Sequence, residues 1–285
     1  MDNMFQKLIE ARKKELQEKA GKNTEKTTID KSKYYTEEEA VEKIYQVLLE
    51  KARIPKEYIN CSFSNFDLDF MPENKPKVEE LKQFAVNYHE YFRKPGNPQS
   101  VLIYSKGNGC GKTHIAVSTG KLILWEYAKV LYKTDPFKYS IRGVINDELA
   151  SMNAPVFFMS EKKYIWCRKR FTTDNEDIIK YVSDCEKAFT RSEIIIYDDL
   201  FRSRDTDFFF DELEGIISQR YDDNKSFIFT TNVNVLAIDQ DDPEQNPFYD
   251  RVKQGSYLLS RIEKMTTPYY YKFHDYKDYR VKGVF

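Results

Sequence analysis

Four short, nearly unbroken apolar runs stand out along this chain, at 101–104, 155–159, 193–197 and 226–231, each ending on polar or small residues. Runs of that length read as buried strands. Between them apolar residues return every three or four positions, the spacing of an amphipathic helix. Helices are predicted at 36–52 through Ala40, Val41, Ile44, Leu48 and Leu49, and at 76–93 through Val78, Leu81, Phe84, Ala85, Tyr88 and Tyr91. Another begins near His114 and runs through Ile115, Leu122, Leu124 and Tyr127, and more follow at 161–170, 175–188 and 211–221. Thr36 with Glu39 forms a capping box for the first helix, and Ser160 stands where it can cap the one at 161. Buried strands alternating with helices imply an α/β fold with a parallel sheet covered on both faces.

Three stretches break the alternation. Residues 60–71 are aromatic and turn-rich, with Phe63, Phe66, Leu68 and Phe70 spaced to lie as a strap along the core. Residues 133–153 read as an irregular polar connection or insertion. Residues 1–33 are rich in Lys and Glu around Phe5, Leu8 and Ile9, which predicts a short amphipathic helix and then a polar linker broken at Gly21. The expected organisation is a small helical N-terminal segment, 1–55, followed by one α/β domain, 56–285. The apolar face of 36–52 either docks on that domain or takes a partner.

Composition narrows the classes. A formal net charge of −1 over 285 residues excludes a globally basic nucleic-acid binder and leaves room for a local basic groove. No apolar run approaches the ~18 residues of a membrane span, and the first residues lack the basic start and apolar core of a signal peptide. Cys61, Cys110, Cys167 and Cys185 are far apart, with no C-x-x-C spacing. That argues against a zinc site and fits a cytoplasmic protein.

The candidate chemistry begins at Lys106-Gly107-Asn108-Gly109-Cys110-Gly111-Lys112-Thr113, between the first strand and the helix at His114. This reads as a phosphate-binding loop, whose glycines let backbone N–H groups turn inward while the new helix aims its positive end at the same spot. Lys112 would reach the β- and γ-phosphates, and the Thr113 hydroxyl would take a Mg²⁺ position. Lys106 takes the place of the usual first glycine of the motif, so the start of the loop must differ. A second motif, Ile196-Tyr197-Asp198-Asp199-Leu200, ends a buried strand in two carboxylates at the edge where open α/β sheets bind ligands. Asp198 would hold Mg²⁺ through water, and Asp199 would orient the attacking water. Asn232, after the strand at 226–231, could hydrogen-bond the γ-phosphate or that water, although Asn there is also a common turn residue.

In this order the three strand ends resemble the AAA+ ATPases, and more narrowly the DnaC/DnaI-type loaders of the replicative helicase. The narrower likeness rests on Gly111-Lys112-Thr113-His114-Ile115-Ala116, on Asp198-Asp199, on Thr230-Thr231-Asn232, and on Leu259-Ser260-Arg261-Ile262 and Asp278-Tyr279-Arg280. The resemblance implies a P-loop NTPase fold that binds ATP or ADP with Mg²⁺ between self-associated ATPase domains. It also implies a replicative hexameric helicase as partner, gripped by the N-terminal segment, and a role in DNA replication. It implies that Arg261 completes a neighbour's site as an arginine finger and that Arg280 senses nucleotide within its own subunit. Read without the resemblance, Arg261 is a surface helix charge and Arg280 a chain-end charge. Asp199 stands where many of the wider superfamily carry Glu, and the shorter carboxylate predicts slow hydrolysis. IstB-like transposition helpers share this core, and a nucleotide-stabilised clamp that hardly turns over is the rival of another class.

After the second strand, Lys162, Lys163, Arg168, Lys169 and Arg170 interleave with Tyr164, Trp166 and Phe171. Basic groups that neutralise phosphates beside aromatic faces that stack on bases are what a single-stranded DNA site needs. An ordinary helix with a basic wet face has the same pattern.

Overall fold

Five strands form one all-parallel sheet in the computed structural model: β1 Val101–Tyr104, β2 Val156–Ser160, β3 Ile194–Leu200, β4 Ser226–Thr231 and β5 Tyr270–Lys272. Their spatial order is β2-β3-β4-β1-β5. The structure describes residues 33–92, 99–172, 174–202, 207–235, 257–267, 269–275 and 277–279. The chain divides between Tyr34 and Tyr35 into two units, and every element below belongs to the second. The helix and linker expected within 1–33 lie outside the described residues, as does Arg280, apart from Lys33 at the linker's end.

Successive strand residues face opposite ways, and the core divides accordingly. Val101, Ile103, Val156, Phe158, Ile194, Ile196 and Ile228 are buried with the apolar faces of α1 Glu37–Lys51, α2 Lys75–Asn87 and α3 Lys112–Thr134. Leu102, Tyr104, Phe157, Met159, Ile195, Tyr197, Phe227 and Phe229 are buried with α6 Glu161–Arg168, α7 Glu176–Arg191, α8 Asp207–Asp222 and α9 Leu258–Thr266. Helices therefore cover both faces, as the expected α/β fold requires. Among the described residues no helix is long and apolar enough to cross a membrane.

The expected capping box opens α1: Thr36 N–H donates to Glu39 Oε2 at 2.9 Å and Glu39 N–H to Thr36 Oγ1 at 3.2 Å. Its Ala40, Val41, Ile44 and Leu48 are spent in the first core, so this helix belongs with the larger unit. Phe63, Phe66, Leu68 and Phe70 pack half-buried against the same core, as a strap should.

Several boundaries differ from expectation for physical reasons. The stretch 133–153 is not irregular. It holds α4 Pro136–Ser140, capped by Asp135, and α5 Val144–Ala150, whose Ile145 and Leu149 are buried one turn apart. Lys51 fastens the end of α5 by donating to Ala150 O and Met152 O, both at 2.9 Å. Helix α8 starts at Asp207 rather than 211, because Phe209 and Phe210 extend the buried face backwards. β5 was not foreseen: it is three residues long and only Tyr271 is fully buried. Ser160 occupies the cap position of α6, but its side chain makes no capping bond.

Candidate nucleotide site

The loop leaves β1 at Ser105 and enters α3 at Lys112. Gly109 (φ +71°) and Gly111 (φ +91°) take the left-handed turns that a side chain would resist. A Cβ on Gly111 would also strike the Phe66 ring of the strap, and one on Gly109 the Asp278 carboxylate. Lys106 is not among the left-handed residues, and this explains how the loop tolerates a side chain where the motif has glycine. Lys112, 7% exposed, folds back so that Nζ donates to Ser105 Oγ at 2.8 Å and to Gly107 O at 2.9 Å. Burial pulls its pKa down, while the charges of Cys110, Asp199, Asp275 and Asp198 push it up. The ammonium is thus stored at the loop by neutral oxygens that a phosphate could replace.

Two threonines from different elements meet one carboxylate. Thr113 Oγ1 and Thr230 Oγ1 each donate to Asp198 Oδ1 at 2.7 Å. Burial raises the Asp198 pKa; the two hydroxyl bonds oppose that rise, as does Lys112, while Asp199 adds to it. The next residue lies on an irregular bend. The β3–β4 register shifts between Tyr197 and Leu200, and Asp199 and Phe201 stand at φ +63° and +64°. Such conformations cost about 1–3 kcal/mol each and persist where surroundings dictate them. Asp199 N–H is held by Thr230 Oγ1 at 2.9 Å, and the Asp199 carboxylate is paired with Arg202.

A cavity of about 140 Å³ opens between these parts, lined by Asn108, Asp199, Leu200, Phe201, Arg202, Asn232 and Val233. Asn232 Nδ2 donates to Asn108 Oδ1 at 2.9 Å, whereas the buried Asn232 Oδ1 has no hydrogen-bond partner among the described residues. Asn108 of the loop and the ends of β3 and β4 therefore converge on one hollow of mixed lining, beside an acceptor left over. Hard oxygen ligands suit Mg²⁺. The Thr113 hydroxyl and Asp198 carboxylate, already in contact, fit such a cation arriving with its phosphates, and among the described residues no cluster of three or more His, Cys, Asp or Glu side chains forms a cage for it.

The segment after β5 lies across the loop. Gly107 N–H donates to the Asp275 carboxylate, and Tyr279 N–H donates to Gly109 O at 3.0 Å. Asn74 fixes this segment by bonding both N–H (2.8 Å) and C=O (3.1 Å) of His274, and Tyr279 meets Phe70 edge-on. His114 does not point to the loop. Its Nε2 bonds Ser62 O at 3.0 Å and its ring meets Phe66, tying the strap to α3. Cys110 is buried, with Sγ 2.9 Å from Ser105 Oγ, so it packs the loop.

Helix α6 separates its candidate DNA residues. Tyr164 is buried and donates to Glu212 Oε1 at 2.6 Å; Arg168 Nε reaches the same oxygen at 2.9 Å, so both fasten α6 to α8. Lys163 lies over the Tyr181 ring. Lys162, Lys169 and Arg170 are exposed, and Arg170 covers Trp166, itself 50% exposed, at 4.4 Å. Arg261 stands on α9 over the Tyr257 ring, and no hydrogen bond among the described residues links it to the loop or the strand ends.

Thr230, Arg202, Asp275 and Asp278 were not foreseen as site residues. Thr230 and Asp278 stand in the quoted stretches Thr230-Thr231-Asn232 and Asp278-Tyr279-Arg280, and Arg202 three positions after Asp199, a faint local signal; Asp275 carries none.

No protein-family model matches the sequence, and no curated protein matches it. Solved structures do match in fold. The DnaC helicase loader aligns with 77% of this chain and 100% of its own, at 21% identity and a TM-score of 0.46. DnaI aligns with 80% of this chain and 95% of its own, at 17% identity and 0.46. Domain III of the Thermotoga maritima replication initiation protein DnaA aligns with 78% of this chain and 68% of its own, at 18% identity and 0.46. At these identities and TM-scores each is a likeness in fold and no more.

Proposed function

We propose that this chain is an AAA+ ATPase that binds Mg-ATP and serves as a loader of the replicative helicase. One observation carries the nucleotide reading: Thr113 from the loop and Thr230 from β4 share the Asp198 carboxylate, beside a hollow where Asn232 keeps an unused acceptor. Backbone amides, Lys112 and Thr113 would hold the triphosphate, and Mg²⁺ when bound supplies charge neutralisation on the phosphate oxygens. A water in the hollow attacks the γ-phosphorus as the bond to the β–γ bridging oxygen breaks. ADP leaves, and the water's proton passes to Asp199.

The helicase partnership rests on the sequence resemblance, with residues of the N-terminal segment gripping the helicase. Arg261 would reach a neighbouring subunit's site, Arg280 would sense nucleotide within its own, and single-stranded DNA would lie along the exposed side of α6. The pairing of Asp199 with Arg202 favours a second reading, a clamp that binds nucleotide and turns over little.

The test mixes the purified chain with the replicative helicase of its native host, with ATP or ADP and Mg²⁺, and follows complex formation and phosphate release. A nucleotide-dependent complex with phosphate release supports the loader. A complex without release supports the clamp. Association with a transposase in place of the helicase would transfer the chain to the IstB-like reading.

A further inference from the structure

Glu161 is wholly buried, and no role given above uses it. It opens α6 directly after β2, beside the end of β3, since Ser160 pairs in register with Asp198. Its Oε2 accepts the Phe201 N–H at 2.8 Å, and its carboxylate also meets the Tyr197 hydroxyl. Tyr197 and Phe201 flank Asp198 and Asp199. One carboxylate from the neighbouring element therefore grips the chain on both sides of the acidic pair.

What it grips is the irregular part of the sheet. The register shift and the two left-handed residues, Asp199 and Phe201, fall within this span. Each of those residues has its N–H taken by a side chain from another element: Thr230 Oγ1 for Asp199 and Glu161 Oε2 for Phe201. Burying a carboxylate is costly unless donors satisfy it, and here the donors are those of the bend.

We infer that Glu161 is a positioning residue for Asp199, holding the end of β3 bent so that the Asp199 carboxylate lines the hollow with Asn108 and Asn232. The inference rests on reading that hollow as an ATP-hydrolysing site. Because Glu161 belongs to α6, a displacement of that helix reaches Asp199 through the Phe201 bond.

The test compares wild type, E161Q and E161A in the full chain, measuring equilibrium nucleotide affinity and steady-state phosphate release separately. Gln keeps the volume and one acceptor oxygen for Phe201 N–H; Ala removes the acceptor. Nucleotide affinity is expected within twofold of wild type in both, with turnover lowered at least tenfold in E161A and only a few-fold in E161Q. A purely structural role would move affinity and turnover together. Turnover within twofold of wild type in both variants, or a fall only in proportion to lost affinity, overturns the inference. Should E161A fail to fold, E161Q is judged alone by the same split. A wild-type chain that binds nucleotide but releases no phosphate overturns the hydrolytic reading and the inference with it; an active wild type with equally active variants overturns the inference alone.

Discussion

The Thr113 hydroxyl at the start of α3 and the Asp198 carboxylate at the end of β3 are joined across 2.7 Å, 85 residues apart in sequence. Loop and sheet are thereby set against each other around a buried acid.

That acid destabilises the fold while it is ionised. Burial raises the folded pKa of Asp198 above its ordinary value of 3.8. Such a group favours folding fully below its unfolded pKa, and the advantage is lost as pH rises through the folded value. At neutral pH the ionised carboxyl is a cost, which Asp198→Asn removes while keeping an acceptor for both threonines. The variant is expected to melt roughly 2–4 °C higher than wild type without ligand at pH 7.5. That advantage should shrink on acidification towards pH 4, and Mg²⁺-dependent tightening of nucleotide binding should be lost. Thermal scans across pH check it; a lower melting point at neutral pH would refute the stored cost.

Asp275 sets a negative charge on the loop that is meant to gather phosphates, accepting the Gly107 N–H. Neutralising it should favour a triphosphate. Asp275→Asn is expected to tighten Mg-free ATP binding by roughly two- to tenfold at low salt, with the gain fading as salt is added. Titration with a fluorescent nucleotide measures it. Weaker binding would mean instead that Asp275 holds the loop open for its ligand.

Arg220 is the largest fully buried side chain among the described residues, and it pairs with carbonyls rather than a carboxylate. Its guanidinium donates to the five carbonyls of Ala188, Phe189, Ser192, Glu193 and Ser226, joining the end of α7 to the starts of β3 and β4. Burial pushes its pKa down to about 9, still above neutrality, so the donors remain. Arg220→Met would strand those acceptors and is expected to cost about 3–5 kcal/mol, read as a lower urea midpoint.

The exposed side of α6 and the turn that follows it carry the nucleic-acid proposal. Reversing charge at Lys169 and Arg170 should weaken single-stranded DNA binding about tenfold and flatten its salt dependence, leaving ATP affinity unchanged. Trp166→Ala should weaken DNA binding by roughly 1–3 kcal/mol if its ring stacks on a base. Equal DNA affinity of all variants across a salt series would leave α6 an ordinary surface helix.

Much of this site could be read in the chain because its chemistry is local. A glycine loop, a paired carboxylate and a strand-terminal Asn each announce themselves within a few residues, and a parallel sheet brings strand ends to one edge. The capping box of α1 was legible for the same reason. Thr230, Glu161 and Asp275 act only through neighbours distant in sequence: Asp275 meets Gly107 from 168 positions away, and Glu161 meets Phe201 from 40. No spacing encodes such meetings. The helices within 133–153 are five and seven residues long, bury two residues each and lean on Lys51 from another helix, too little for a period to show. Tyr164 and Arg168 read as DNA-facing until Glu212 claimed both.

The central claim is that triphosphate is gathered by this loop through Lys112. Equilibrium binding of Mg-ATP to wild type and to Lys112→Ala, with both shown to be folded, tests it most directly. The account predicts measurable affinity for wild type and a loss of at least about tenfold, or ~1.4 kcal/mol, in the variant. Equal affinity in the two proteins, or no binding by wild type, would contradict it.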